Sequence, residues 1–168
     1  MTRIAVFIDG SNLFYLTRYR LGWEIDYEKL LQYISQWGEI TDATFYTGVN
    51  PTRESGPQFL DYLCNVGFSV ITKPTKEIFD DKSGKFKLKA NLDVEIFLDL
   101  FNTIENYDLA VLISGDSDFE RSLQQLKARG KRFKIMSSNG FMSRELRQLA
   151  GMHYVDLSEI KCDIERCA

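Results

Sequence analysis

The stretch LAVLISGDSDF, residues 109–119, joins a continuous apolar run to a short polar loop that carries Asp116 and Asp118. Five consecutive apolar residues are typical of a strand that is buried on both faces of a parallel sheet. The stretch IAVFIDGSN, residues 4–12, has the same arrangement, because five apolar residues there end at Asp9. The two stretches predict two central strands, each followed at once by acidic residues.

Shorter apolar runs and helical patterns alternate along the rest of the chain. Further strands are predicted at residues 43–49, 68–72, 133–136 and 154–157. Helices are predicted at residues 26–37, 55–66, 91–104, 119–129 and 144–150. This alternation predicts an α/β fold with three layers, in which a mostly parallel, Rossmann-like central sheet carries helices on both faces. Because no repeat or linker divides the chain, residues 1–168 are expected to form one domain.

Composition and charge narrow the class of protein. Hydrophobic residues make up 44% of the chain and charged residues 27%, a balance typical of globular proteins. None of the apolar runs approaches the ~20 residues that span a membrane. Three widely spaced cysteines, an odd number, favour reduced thiols and a cytoplasmic location. The formal net charge of −3 argues against a strongly basic nucleic-acid binder. For binding to nucleic acid, the position of basic segments along the chain is therefore more informative than the net charge.

The acidic residues after the two central strands predict a metal site. In open α/β sheets, ligands bind beyond the carboxyl ends of the strands, so Asp9, Asp116 and Asp118 should lie close together. Carboxylates that lie close together repel one another, and a bound divalent cation is the simplest way to neutralise this repulsion. Mg²⁺ and Mn²⁺ prefer oxygen ligands and retain water molecules that can attack a phosphodiester. Taken singly, each of these acids could instead be an ordinary helix cap.

Four segments carry a more specific pattern. They are FIDGSNL at residues 7–13, NLDV at 91–94, LISGDSDF at 112–119 and AGMHYVDL at 150–157. Together, over nearly the whole chain, they resemble the NYN domain, the LabA-like branch of the PIN-like nuclease superfamily. The resemblance implies a PIN-type sheet and a ribonuclease activity that depends on Mg²⁺ or Mn²⁺.

The resemblance also implies which residues form the site. The metal-binding and catalytic carboxylates of the family correspond to Asp9, Asp93, Asp116 and Asp118 of this chain. Supporting positions fall on Asn12 and Ser114, while Asp99 lies six residues beyond Asp93. Before Asp93 the family usually has Gly-Val, whereas this chain has Asn91-Leu92.

Two basic segments are candidates for contact with the substrate. Residues 74–89 are rich in lysine, and the turn sequence at 81–84 predicts two extended arms. Lys85, Lys87 and Lys89 lead directly to Asp93, so this arm is expected to guide single-stranded RNA, with Arg144 and Arg147 as further phosphate contacts. The denser basic segment at residues 127–134 ends a helix and enters a strand, which places it at the opposite edge of the sheet.

Other functional classes were weighed against the nuclease. A phosphatase of the haloacid-dehalogenase type needs a second Asp two residues after the first, and this chain has Ser11 there. A serine hydrolase would have to use His153, the one histidine, without a nucleophile-elbow motif. The alternative that stays open is an RNA-binding or regulatory module that keeps the fold and pocket with little or no cleavage. The sequence also leaves open whether the chain forms a homodimer.

Overall fold

A computed structural model describes residues 1–50, 56–80 and 84–167, and for residues 78, 80 and 85–89 it describes the backbone alone. Six parallel strands form the central sheet in the order β3-β2-β1-β6-β7-β8. They are β1 Arg3–Asp9, β2 Glu39–Val49, β3 Ser69–Pro74, β6 Leu109–Ile113, β7 Arg132–Ser137 and β8 Tyr154–Asp156. A separate antiparallel hairpin pairs β4 Lys76–Asp80 with β5 Lys85–Lys89.

Helices cover both faces of the sheet, which confirms the predicted three-layer α/β fold. They are α1 Gly10–Leu16, α2 Tyr27–Ser35, α3 Gly56–Val66, α4 Asp93–Asn102, α5 Glu120–Ala128, α6 Arg144–Ala150 and α7 Lys161–Ile164. Helices α1, α2, α3 and α7 pack on one face, and α4, α5 and α6 pack on the other. None of these helices is long and apolar enough to cross a membrane.

The two continuous apolar runs owe their composition to burial on both sides. In β1, Ile4, Val6 and Ile8 pack under α1 and α2, whereas Ala5 and Phe7 pack under α4. The residues of β6 alternate between the same two cores, and all five are buried. Side chains alternate across a strand, so a strand with helices on both faces needs apolar residues at every position.

The strand order reverses direction between β1 and β6. From β1 the chain proceeds outward through β2 and β3, and after β6 it proceeds outward on the other side through β7 and β8. Ile8 of β1 lies opposite Ile113 of β6, so the residues that follow these two strands meet at the same edge. The predicted neighbours are confirmed, and the carboxyl edge at this reversal is where α/β sheets bind ligands.

Some elements differ from the sequence-based predictions. Helix α1 was not predicted, and it continues directly into one turn of π-helix, Thr17–Leu21. Its outward residues are aromatic, so the polar face that marks an amphipathic helix is missing from the sequence pattern. Helix α7 was also missed, and β2 starts four residues earlier than expected. The hairpin β4–β5 confirms the two extended arms. Residues 81–83 of the predicted turn and the predicted helix start at Ser55 lie outside the described residues.

Candidate metal centre

Asp9 joins the end of β1 to the start of α1. Its side chain caps that helix, because the backbone N–H of Asn12 donates to Asp9 Oδ1 at 3.0 Å. The hydroxyl of Ser114 donates to Asp9 Oδ2 at 3.0 Å. The backbone N–H of Gly115 donates to Asn12 Oδ1 at 2.9 Å. Asn12 and Ser114 thus link the ends of the two central strands and hold Asp9 between them.

The loop after β6 is held in one shape by its own hydrogen bonds. The backbone N–H of Asp116 donates to Ser114 Oγ at 3.2 Å, and that of Asp118 donates to Asp116 Oδ1 at 3.0 Å. The carbonyl of Gly115 accepts from the N–H of Ser143, at 3.1 Å, just before α6. The loop is therefore attached both to β1 and to the helix that follows β7.

Asp93 is the first residue of α4, and its position depends on two residues before it. The side-chain oxygen of Asn91 accepts the N–H of Asp93 at 2.8 Å, and Leu92 is buried in the core under α4. This is the local consequence of Asn91-Leu92, the pair that departs from the family pattern. Lys73 adds a tertiary restraint, because its ammonium donates to the carbonyl of Asn91 at 3.3 Å and to Glu95 Oε1 at 2.8 Å.

Three carboxylates converge at this edge of the sheet. Asp93, Asp116 and Asp118 each offer one oxygen, and these oxygens all lie within 4.8 Å of one another. Ligand oxygens lie about 2.1 Å from Mg²⁺, so opposite ligands stand roughly 4.2 Å apart, and the trio fits one ion with little movement. Because every donor is a carboxylate oxygen, the site suits a hard divalent cation rather than a soft metal.

Asp9 stands outside this trio. It is only 8% exposed, and both of its oxygens accept hydrogen bonds. The charges of Asp93 and Asp116 act on it, so it belongs to the same acidic site. That Asp9 ligates the ion directly stays a prediction.

Burial raises the pKa of Asp9 to about 6, with smaller contributions from Asp93 and Asp116 and in spite of the bonds from Asn12 and Ser114. A raised pKa means that the folded protein binds this proton more tightly than the unfolded chain. The Asp9 charge therefore costs stability above about pH 6, and the cost disappears as the pH falls toward the unfolded value.

We expect Asp9→Asn to remove this pH dependence in metal-free protein. Between roughly pH 7.5 and pH 4.5, the free energy of unfolding of the wild type should gain about 2 kcal/mol that the variant does not gain. Urea unfolding in EDTA at both pH values measures the difference. Parallel profiles for the two proteins would show that Asp9 is not a strained buried acid.

Asp99 lies on α4 apart from the trio. Its Oδ2 accepts the hydroxyl of Tyr46 at 2.8 Å, and Tyr46 is a buried residue of β2. Burial and this bond raise the pKa of Tyr46 well above its usual range, so the hydroxyl remains a donor. Asp99 therefore fixes α4 against the sheet, and its support of Asp93 is indirect.

The predicted phosphate contacts are divided by the fold. Arg144 is exposed at the first position of α6, and it directly follows Ser143, whose N–H donates to Gly115 O. Arg147 lies instead near the start of β8, where its guanidinium is 4.2 Å from the Tyr154 ring centroid and donates to Gly151 O at 3.1 Å. Both contacts hold the Arg147 guanidinium against its own helix and β8.

The two basic segments lie at opposite edges, as expected. The base of the β4–β5 hairpin is attached to the end of β2, because Thr75 N–H donates to Val49 O at 2.9 Å. The side chains of Lys85, Lys87 and Lys89 lie outside the described residues. In the other segment, Lys131 donates to Tyr107 O at 2.8 Å, just before β6 begins.

Sequence reasoning missed the positioning roles of Lys73 and Asn91. A side-chain amide two residues before a first-turn acid is a recognisable capping signal, so Asn91 could have been identified. The hydrogen bonds of Lys73 reach residues that lie 18 and 22 positions later in the chain, Asn91 and Glu95. The residues around Lys73 in the sequence do not indicate these partners.

Comparison with known proteins places this geometry in a family. The family model described as NYN domain matches residues 3–158. The low amplitude and bright protein LabA of Synechococcus elongatus is 41% identical over 98% of this chain and 89% of its own length. An uncharacterized protein of Methanocaldococcus jannaschii is 24% identical over 88% of this chain and 52% of that protein.

A solved structure shares the fold over nearly its whole length. The crystal structure of a protein of unknown function from Vibrio parahaemolyticus has a TM-score of 0.82 and 25% sequence identity. The match covers 98% of this chain and 96% of that one. The six-stranded sheet with its flanking helices is therefore an arrangement also found by experiment.

Proposed function

This chain belongs to the NYN domain family, whose members are PIN-like nucleases, and from that premise we propose that it is a metal-dependent ribonuclease acting on single-stranded RNA. The observation that supports the proposal most directly is the convergence of Asp93, Asp116 and Asp118 at the carboxyl edge, beside the strand reversal. Three carboxylate oxygens within 4.8 Å of one another match the donor set that phosphoryl-transfer enzymes use for Mg²⁺ or Mn²⁺.

The residues of the site would divide the work. Asp93, Asp116 and Asp118 would hold the cation. When bound, the ion supplies a polarised water and neutralises charge that develops on the phosphate. Asp9 would add a fourth negative charge to the site, while the hydrogen bonds of Ser114 and Asn12 tie together the ends of β1 and β6. Fixed positions for the catalytic groups relative to the substrate supply a large part of the rate enhancement in such reactions.

For the substrate path, we retain the hairpin arm and Arg144. The hairpin is attached to β2 at the edge that carries the trio, so Lys85, Lys87 and Lys89 would bring phosphates toward Asp93. Arg144 would meet the strand from the side of α6. Arg147 is left out of the path because its guanidinium is held by the Tyr154 ring and by the carbonyl of Gly151. We also place the reaction in the cytoplasm, in keeping with three free cysteines, Cys64, Cys162 and Cys167.

A cleavage assay tests the proposal. Single-stranded RNA labelled at one end is incubated with the chain in Mn²⁺, in Mg²⁺ or in EDTA, beside a duplex of the same sequence. We expect cleavage of the single strand in at least one metal, slower cleavage of the duplex, and intact RNA in EDTA. RNA that is bound yet uncut in both metals would contradict the nuclease and favour the binding-module alternative.

A further inference from the structure

Helix α1 and the π-helical turn after it expose an unusual number of aromatic rings. Phe14 is 54% exposed, Tyr15 44% and Tyr19 69%. The rings of Tyr15 and Tyr19 are stacked, with centroids 5.9 Å apart and planes 12° apart, and Phe14 meets Tyr15 edge-on. Adjoining apolar surface of this kind marks an interaction site. We refer to Phe14, Tyr15, Arg18 and Tyr19 as the aromatic face.

The aromatic face lies beside the acidic site. The helix starts at Asp9, and Asn12 on its first turn accepts the N–H of Gly115. Tyr15 follows Asn12 by three residues, which places it on the next turn of the same side of α1, and the ring of Tyr19 stacks on that of Tyr15. At the far end, Arg20 Nε donates to Asn139 O at 3.1 Å, beyond the end of β7. The helix therefore runs along the carboxyl edge of the sheet.

The charge of this segment differs from that of the chain as a whole. Residues 10–22 contain no acidic residue and two arginines, in a chain whose net charge is −3. The guanidinium of Arg18 lies 5.9 Å from the Phe14 ring centroid and 5.8 Å from that of Tyr19. Exposed rings interleaved with arginine are complementary to a single strand, whose bases stack on rings and whose phosphates need cations.

We propose that the aromatic face is a base-stacking platform that holds single-stranded RNA beside the acidic trio. This inference rests on the proposed ribonuclease function and names how its substrate is chosen. Bases of a duplex are already stacked on their neighbours and cannot spread onto Tyr15 and Tyr19, so the platform selects single strands. The aromatic face also consists of only four residues, whereas a stable protein interface takes about 20–30 residues from each partner.

Binding measured without cleavage tests the platform. A fluorescein-labelled oligouridine strand of about twelve nucleotides is titrated with the metal-free chain in EDTA, and anisotropy gives the Kd. We expect the double variant Tyr15→Ala/Tyr19→Ala to bind roughly tenfold more weakly, as for the loss of one stacked base. The slope of log affinity against log salt should not change, because no phosphate contact is removed. Tyr15→Phe/Tyr19→Phe, which keeps both rings, should bind like the wild type.

Two controls separate stacking from loss of fold or of aromatic surface in general. The double variant Phe59→Ala/Tyr62→Ala removes two other exposed rings, on α3, and should retain wild-type affinity. A strand of the same length with abasic sites should bind more weakly and should not distinguish the Tyr15/Tyr19 variant from the wild type. Circular dichroism and thermal unfolding verify that each variant is folded.

The outcomes separate this inference from the proposed function. Equal Kd values for wild type and the Tyr15/Tyr19 alanine variant would overturn the platform, even if the chain cleaves RNA. Weaker binding by that variant, together with no cleavage in any metal, would support the platform and refute the ribonuclease. If the wild type binds no RNA and the variant changes its sedimentation mass, the face joins two copies of the chain and the inference is wrong.

Discussion

Asp116→Asn is expected to lower the rate of RNA cleavage by at least about a hundredfold while leaving the fold intact. The substitution removes one negative charge from the trio but keeps an oxygen that can accept the N–H of Asp118. The cap of the turn after β6 therefore survives, and the loss falls on the cation. Initial cleavage rates over a range of Mn²⁺ concentrations measure both the maximal rate and the metal needed to reach half of it.

A matched substitution controls for the loss of a carboxylate elsewhere. Asp163 is exposed on α7, which packs on the other face of the sheet from α4, so Asp163→Asn should cleave RNA like the wild type. Thermal unfolding without metal adds a second measurement, because Asp116→Asn relieves repulsion within the trio and should not destabilise the protein. An Asp116→Asn protein that cleaves within tenfold of the wild type would remove this acid from the catalytic site.

Gly115→Ala is expected to damage the site without removing any charged group. A Cβ at this position would lie 2.6 Å from Phe141 O and 2.9 Å from Ser137 Oγ. The first of these atoms belongs to the backbone and cannot turn aside, so the loop that carries Asp116 must move. We expect the free energy of unfolding to fall by about 1–3 kcal/mol, as for an overpacked core.

The same displacement should affect cleavage more than stability. A shift of roughly 1 Å in a catalytic group can cost about a hundredfold in rate, so the variant should cleave poorly even where it is fully folded. Gly56→Ala is the control, since a Cβ there meets open space at the start of α3. Urea unfolding and the cleavage assay are applied to both proteins. If Gly115→Ala is as stable and as active as Gly56→Ala, the loop adapts and its shape does not determine the site.

The sequence was sufficient to predict the fold class and the two central strands of the sheet. The runs at residues 4–8 and 109–113 are apolar at every position because both sides of each strand are buried, and this identified the two central neighbours. The acids that follow them had to meet, since parallel neighbours end at one edge. The opposite placement of the two basic segments follows from the same rule. These inferences depend on local periodicity and on chain direction, which a sequence records directly.

The tertiary structure decided how the acids are arranged. Four acids were predicted to act alike, but Asp9 is buried and accepts two hydrogen bonds, while Asp93, Asp116 and Asp118 direct oxygens toward one another. Arg147 lies near Arg144 in the sequence, but its guanidinium packs on the Tyr154 ring and donates to Gly151 O. Lys73 restrains the start of α4 from a distant strand. Each of these outcomes depends on which partners the packing brings within bonding distance, and short-range sequence patterns carry no information about such partners.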